Sequence, residues 1–187
     1  MRVTKTEKKI AIAKDVLKHI KHFKKITQGE YGCVSMEENL PGDDSAQLHI
    51  DKITKNCETC ALGACFVSYI RLYNKVKIDD FIIRNDDIAH TIEFDYNDNI
   101  FHKLKSIFTQ NQLDEIESAF ELRDMGDEHH FGDDGYEIDE DRFQDAIQFG
   151  YQYSTPSDRL AAIMKNIVKN NGKFVPVVSK SKKLVKS

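Results

Sequence analysis

The sequence predicts a mainly α-helical fold, with about six helices and a minor β element in a single compact domain. Three observations carry this expectation. Apolar residues recur at three- and four-residue spacing in several separate stretches. Three of those stretches open on a threonine placed to cap a helix. Strand-like alternation is confined to short pieces near 31–36, 48–53 and 91–96. With 187 residues, 40% of them hydrophobic and 31% charged, the chain has enough apolar material for one well-filled core.

The first helix is read over 5–25, with Ile10, Ala13, Val16, Leu17, Ile20 and Phe23 on its inner stripe and Thr4 or Thr6 as cap. Lys14, Lys18, Lys21, Lys25, His19 and His22 lie opposite. This is expected to be a solvated face, with phosphate binding as the alternative. Gly29 and Gly32 interrupt the chain, and "EENLPGDDSAQ" has the composition of a loop. "QLHIDKI" alternates at Leu48, Ile50 and Ile53, so it is expected to pair with 31–36 as a hairpin, or else to form a helical turn.

A central helix is predicted over 57–73 with Asn56 as N-cap, followed by irregular chain and a short strand near 91–96. Phe101, Leu104, Ile107 and Phe108 mark a short amphipathic helix. Thr109 and Gln112 have capping-box spacing ahead of a stripe formed by Leu113, Ile116, Ala119 and Phe120. Phe143, Ile147 and Tyr151 mark a helix over 139–152. The last helix has Thr155 as cap, Pro156 in its first position, Asp158 in its first turn and Asn170-Asn171-Gly172 as its stop. Residues 1–176 are read as the domain and 177–187 as a basic, mobile tail.

The stretch with the most chemistry in it is "NCETCALGACF". At the start of a helix, Cys57 and Cys60 would share a face and feel its positive pole, which lowers a thiol's pKa. Zinc normally takes four ligands, and Cys65 lies about 12 Å of helical rise beyond Cys57, too far to share an ion with it. The candidate set is therefore Cys33, His49, Cys57 and Cys60, with no second C-x-x-C to support it. A redox pair would need a strand–helix context and a facing proline, and the sequence suggests neither. Packing is the stronger reading: Cys60, Ala64 and Ser68, with Ala61, Gly63 and Cys65 beside them, give a small-residue face for close helix approach. No cofactor is expected, with zinc as the alternative.

"CETCALGACFVSYIR" and "DRLAAIMKNIVKNNGKFVP" together resemble a group of small uncharacterised bacteriophage and bacterial proteins. These combine a C-x-x-C-A-x-G-A helix with a late IM-x-N-I-x-x-N-x-G-x-F segment. The resemblance covers two blocks, about a fifth of the chain. It implies a soluble accessory protein, phage-encoded and acting in the host cytoplasm, and it supplies no catalytic residues.

"RDMGDEHHFGDDGYEIDEDR" has ligand types for a cation but not the EF-hand register. Counted from Asp127, Gly132 falls correctly, but His129, Phe131 and Ile138 occupy positions that need oxygen ligands. A solvated acidic loop is the plain expectation. The functional alternative is a surface for a basic protein partner, built from Asp127, Glu128, Phe131, Asp133, Asp134 and Tyr136.

A formal charge of −4 gives no general reason to expect nucleic acid as a partner. The N-terminal segment does not have the pattern of a secretory signal, and no stretch has the roughly 18 apolar residues of a membrane span. Four cysteines without such a signal point to free thiols in the cytosol. No glycine-rich phosphate loop, nucleophile elbow or H-E-x-x-H pair is present. The sequence therefore leads to a non-enzymatic accessory or regulatory protein that binds a macromolecule. The alternative is a zinc- or thiol-dependent protein using Cys57 and Cys60.

Overall fold

Thr4 closes a full capping box on the first helix. Its hydroxyl accepts from the Glu7 amide at 3.2 Å, and the Glu7 carboxylate accepts from the Thr4 amide at 2.7 Å. In the computed structural model, which describes residues 3–29, 31–35, 40–78, 82–84, 91–94, 98–123 and 140–177, this helix, α1, runs Lys5–His19. It ends earlier than the apolar spacing suggests, because a 3-10 turn at Ile20–His22 leads into strand β1, Lys25–Ile26. Ile12, Ala13 and Val16 are its buried apolar residues, and Ile10 and Leu17 lie at the edge.

Strand β2, Cys33–Ser35, does not pair with 48–53. That segment is helical instead: a 3-10 turn at Ala46–His49 continues into α2, Ile50–Asn56. Ala46, Ile50, Ile53 and Thr54 follow helical spacing inward, and Leu48, which suggested alternation, is 76% exposed.

The chain then forms strand β3, Cys57–Thr59, before α3 begins at Ala61 and runs to Tyr73. The predicted start of the central helix is thus corrected by four residues. Asn56 bonds back to the Lys52 carbonyl at 2.9 Å, so it finishes α2, and Cys60 is the N-cap of α3. β3 lies between β1, parallel to it, and β2, antiparallel to it. β4, Ile82–Arg84, and β5, Thr91–Phe94, extend the sheet to the order β1-β3-β2-β5-β4.

Four helices follow: α4 Asp98–Lys105, α5 Gln110–Glu121, α6 Glu140–Gly150 and α7 Pro156–Lys169. The described residues thus hold seven α-helices and a sheet of short strands, a mainly helical fold. α3 is buried from Ala61 to Ile70 and packs on α1, α4 and α5. α7 packs chiefly on α1 and α5. The most extensive pair is α5 with α6, where Gly150 lets the α6 backbone approach Ala119. In α6, Phe143, Ala146, Ile147 and Phe149 are buried, whereas Tyr151 lies beyond the helix and is exposed. α7 matches its sequence signals: Thr155 accepts from the Asp158 amide at 3.1 Å, and Gly172 takes the left-handed conformation (φ 82°) past its end.

Candidate functional site

The two cysteines that share a helix face on paper sit on different elements. Cys57 is in β3 with its side chain buried, and Cys60 precedes α3, also buried. Burial pushes the Cys57 thiol well up, with the Cys33 and Glu58 charges adding to the effect. Cys60 does receive help from the Gly63 and Leu62 amides at the start of α3. Complete burial outweighs that help, the Glu117 carboxylate adds to burial, and its thiol is raised rather than lowered. Burial alone pushes Cys65 up to about 12. These three thiols behave as small core side chains.

The proposed ligand set is not assembled. Cys33 lies across the sheet from Glu58, next to the Val34–Cys57 pairing, while His49 is bonded to Asp44 at 2.8 Å in the 44–49 turn. Among the described residues, no three His, Cys, Asp or Glu side chains come together as a metal ion would require. At Gly63, within the small-residue face of α3, the close approach is made by a loop. A Cβ on Gly63 would lie 1.6 Å from the Tyr31 carbonyl oxygen and 2.1 Å from Thr59 Oγ1. It is a loop that approaches α3 there, not a second helix, and Thr59 donates to the same Tyr31 oxygen at 2.6 Å.

That loop leads to the feature the sequence did not disclose. α5 was expected to bury one stripe, yet every residue from Gln112 to Phe120 is buried, including Asp114, Glu115 and Glu117. Ionised carboxylates cost several kcal/mol to bury unless paired, so this helix must be served from elsewhere. Gln110 donates to Asp114 at 2.6 Å, and Tyr31 donates to Glu117 at 2.6 Å. The capping box at the start of α5 is only half formed. Thr109 accepts from the Gln112 amide at 3.3 Å, but the Gln112 side chain accepts from Lys9 and donates to the Gly172 carbonyl.

The far end of α5 is held by two distant segments. Arg159, 4% exposed, donates to the carbonyls of Phe120, Gly150 and Tyr153 and lies over the Phe120 ring. Gln28 donates to the Phe120 and Glu121 carbonyls at 3.2 and 2.9 Å, and the Gly29 amide donates to the Glu121 carboxyl at 2.9 Å. Burial, aided by neighbouring Glu117, pushes Glu121 up to about 7 against the opposing Gly29 bond and the Arg123 and Arg159 charges. One sequence signal could have exposed this arrangement: "QNQLDEIESAFE" carries four acids and no base, so it offers no ion pairs of its own.

The outer face of α1 stands apart from this interior network. Lys14, Lys18 and Lys21 are exposed, and no ion pair to a carboxylate is formed by them among the described residues. His19 departs from the expected solvated face. It lies 3.2 Å from Asp15, which turns inward to Arg71 at 3.3 Å, and Arg71 continues to Asp51 at 2.8 Å. The acidic candidates Asp127, Glu128, Phe131, Asp133, Asp134 and Tyr136 lie outside the described residues. No described helix is long and apolar enough to cross a membrane. Compared with family models, curated proteins and solved structures, the chain finds no match.

Proposed function

We propose that the protein is a non-enzymatic accessory or regulatory protein that works by binding another protein through its charged surface. The separation of charge supports this most. The acids within the basic N-terminal segment are already engaged, Glu7 in its cap and Asp15 with Arg71 and His19. Among the described residues, the exposed Lys14 and Lys18 of α1 and the adjoining Lys21 pair with no carboxylate. The opposite sign is gathered in the sequence at 124–145. Segregated charge of this kind steers association and suppresses wrong partners.

Within this proposal, Asp127, Glu128, Asp133 and Asp134 supply the attraction to a basic partner, and Phe131 and Tyr136 supply its apolar contacts. The resemblance of two sequence blocks to bacteriophage proteins favours a bacterial host cytoplasm as the setting. The interior supports a binding role over a thiol-dependent one, because Cys57 and Cys60 are buried with raised pKa values.

The test is capture of partners from bacterial lysate, followed by association kinetics of a purified partner at increasing salt. Neutralising Asp127, Glu128, Asp133 and Asp134 together should slow association and flatten its salt dependence, since screening acts over about 8 Å at physiological ionic strength. Partner association indifferent to this variant, and to Lys14, Lys18 and Lys21 changed together to Gln, would refute the proposal.

A further inference from the structure

We infer that α1 and α7 together form a binding face for the phosphate backbone of duplex nucleic acid. The fold brings to one side what the sequence keeps at its two ends. Residues 5–25 hold eight lysines and two acids, and residues 160–177 hold three lysines and no acid. The formal charge of −4 conceals this separation. α1 packs extensively on α7, and the pair forms an outer layer, with α1 resting on α3 and α7 on α5. On α1, exposed Lys14 and Lys18 lie opposite buried Ile12 and Val16. On α7, exposed Lys165 and Lys169 lie opposite buried Ile163 and Ile167. Lys21 continues the first row past the end of α1, and Lys173 continues the second past the end of α7.

The two rows meet where the end of α7 reaches the start of α1. A Cβ on Gly172 would lie 3.3 Å from the Thr6 carbonyl oxygen and 3.4 Å from the Lys9 Cβ. Gln112 bridges the same place, accepting from Lys9 and donating to the Gly172 carbonyl. Burial holds the Lys9 ammonium below its usual pKa, and the Lys5 and Lys173 charges beside it add to the effect. The acids of the two helices do little to offset this excess. Glu7 and Asp158 are engaged in caps with Thr4 and Thr155, and Asp15 faces Arg71 and His19. Among the described residues, Lys14, Lys18, Lys21, Lys165, Lys169 and Lys173 form no ion pair.

What the face lacks points to phosphate and not to protein. Among the described residues, no large apolar side chain is exposed on α1 or α7. Protein interfaces are centred on apolar and aromatic anchors and are depleted in lysine. Rows of lysine with no exposed arginine or aromatic ring suit backbone contact without base reading or stacking. Lys5 to Lys18 covers about 20 Å of helix, or about six steps of a duplex strand at about 3.4 Å each. The acidic residues assigned to a protein partner take no part, so loss of that partner would leave duplex binding intact.

Fluorescence anisotropy of short labelled DNA and RNA duplexes of mixed sequence, titrated with the full chain from about 50 to 200 mM salt, tests this. At least one duplex should bind whatever its sequence, with a slope of log K against log salt of about −4 to −5, the value for about five phosphates. Changing Lys14, Lys18 and Lys21 together to Gln should reduce the slope by about 2 to 3, and so should changing Lys165, Lys169 and Lys173. If one of these variants fails to fold, the other decides. No binding of either duplex at the lowest salt overturns the inference. Binding that survives both variants, or that is lost only when the lysines at 180–186 are changed, overturns it as well. Poly-glutamate bound as tightly as the duplexes would make this a face for acidic protein, and single strands bound more tightly than duplexes would contradict the backbone geometry; either result overturns it.

Discussion

Replacing Gly63 by alanine should destabilise the protein, although alanine is the better helix former. In an exposed helix the change would gain about 1 kcal/mol. Here the new Cβ would lie 1.6 Å from the Tyr31 carbonyl oxygen, 2.1 Å from Thr59 Oγ1 and 2.8 Å from the Tyr31 carbonyl carbon. Two of these three atoms are backbone, so no rotamer change relieves the contact. Tyr31 must retreat, and the 2.6 Å bond from Thr59 to its carbonyl goes with it. Overpacking of this kind costs about 1–3 kcal/mol, and the lost hydrogen bond about 1 kcal/mol more. After subtracting the helix gain, the net loss is about 2 kcal/mol, which lowers Tm by about 4–8 °C in a chain of this size. Thermal melts followed by circular dichroism measure it. Gly29→Ala serves as the contrast, because Gly29 has φ +84° and nothing within 4 Å of an added Cβ. It should cost about 1 kcal/mol, from backbone strain alone. A Gly63→Ala protein as stable as the wild type would show that the Tyr31 backbone does not rest on α3 as described.

Two further perturbations probe the interior. Arg159→Met removes the donor that the carbonyls of Phe120, Gly150 and Tyr153 share, and the urea midpoint should fall by an amount worth about 2–4 kcal/mol with little change in m. Arg159→Lys should recover only part of this, since an ammonium cannot spread across three fixed oxygens, and full recovery would argue for charge over geometry. In a thiol titration at pH 8, Cys33, which is half-buried, should react first in the native protein. Cys57, Cys60 and Cys65 should wait for denaturant, and rapid native labelling of Cys60 would contradict its burial.

What the sequence disclosed and what it hid divide along the range of the interactions. α7 was legible from end to end because Thr155, Pro156 and Gly172 act on their own neighbours. The start of α5 was legible for the same reason: Thr109 accepts from an amide three residues on. Cys57–Thr59 was not, because its strand conformation is set by β1 and β2, and nothing in "CET" itself announces those partners. The 48–53 segment misled through Leu48, an exposed apolar residue of the ordinary kind that happened to complete an alternation. As for function, the thiol spacing drew attention to Cys57 and Cys60. The structure instead concentrates buried charge on α5, where local pattern suggested an ordinary amphipathic helix.

The end of α5 explains why such a helix can exist. Its last carbonyls lack partners within the helix, as at any C-terminus, but here side chains from distant segments supply donors to the Phe120 and Glu121 oxygens. The Phe120 oxygen accepts both from Gln28, 92 residues away in sequence, and from Arg159, 39 residues away. Leu122 takes a left-handed conformation (φ 62°) and returns its amide to Ser118, which closes the helix geometrically but leaves those oxygens to the side chains. The Gln28 amide from the N-terminal third and a guanidinium from α7 therefore meet at one atom. Weakening either places more demand on the other, so the Gln28–Gly29 contacts and the packing of α7 are energetically linked without touching over a broad surface. Glu121 sits beside that junction, where its carboxyl accepts from the Gly29 amide at 2.9 Å and so ties the same segment to the helix end a second time.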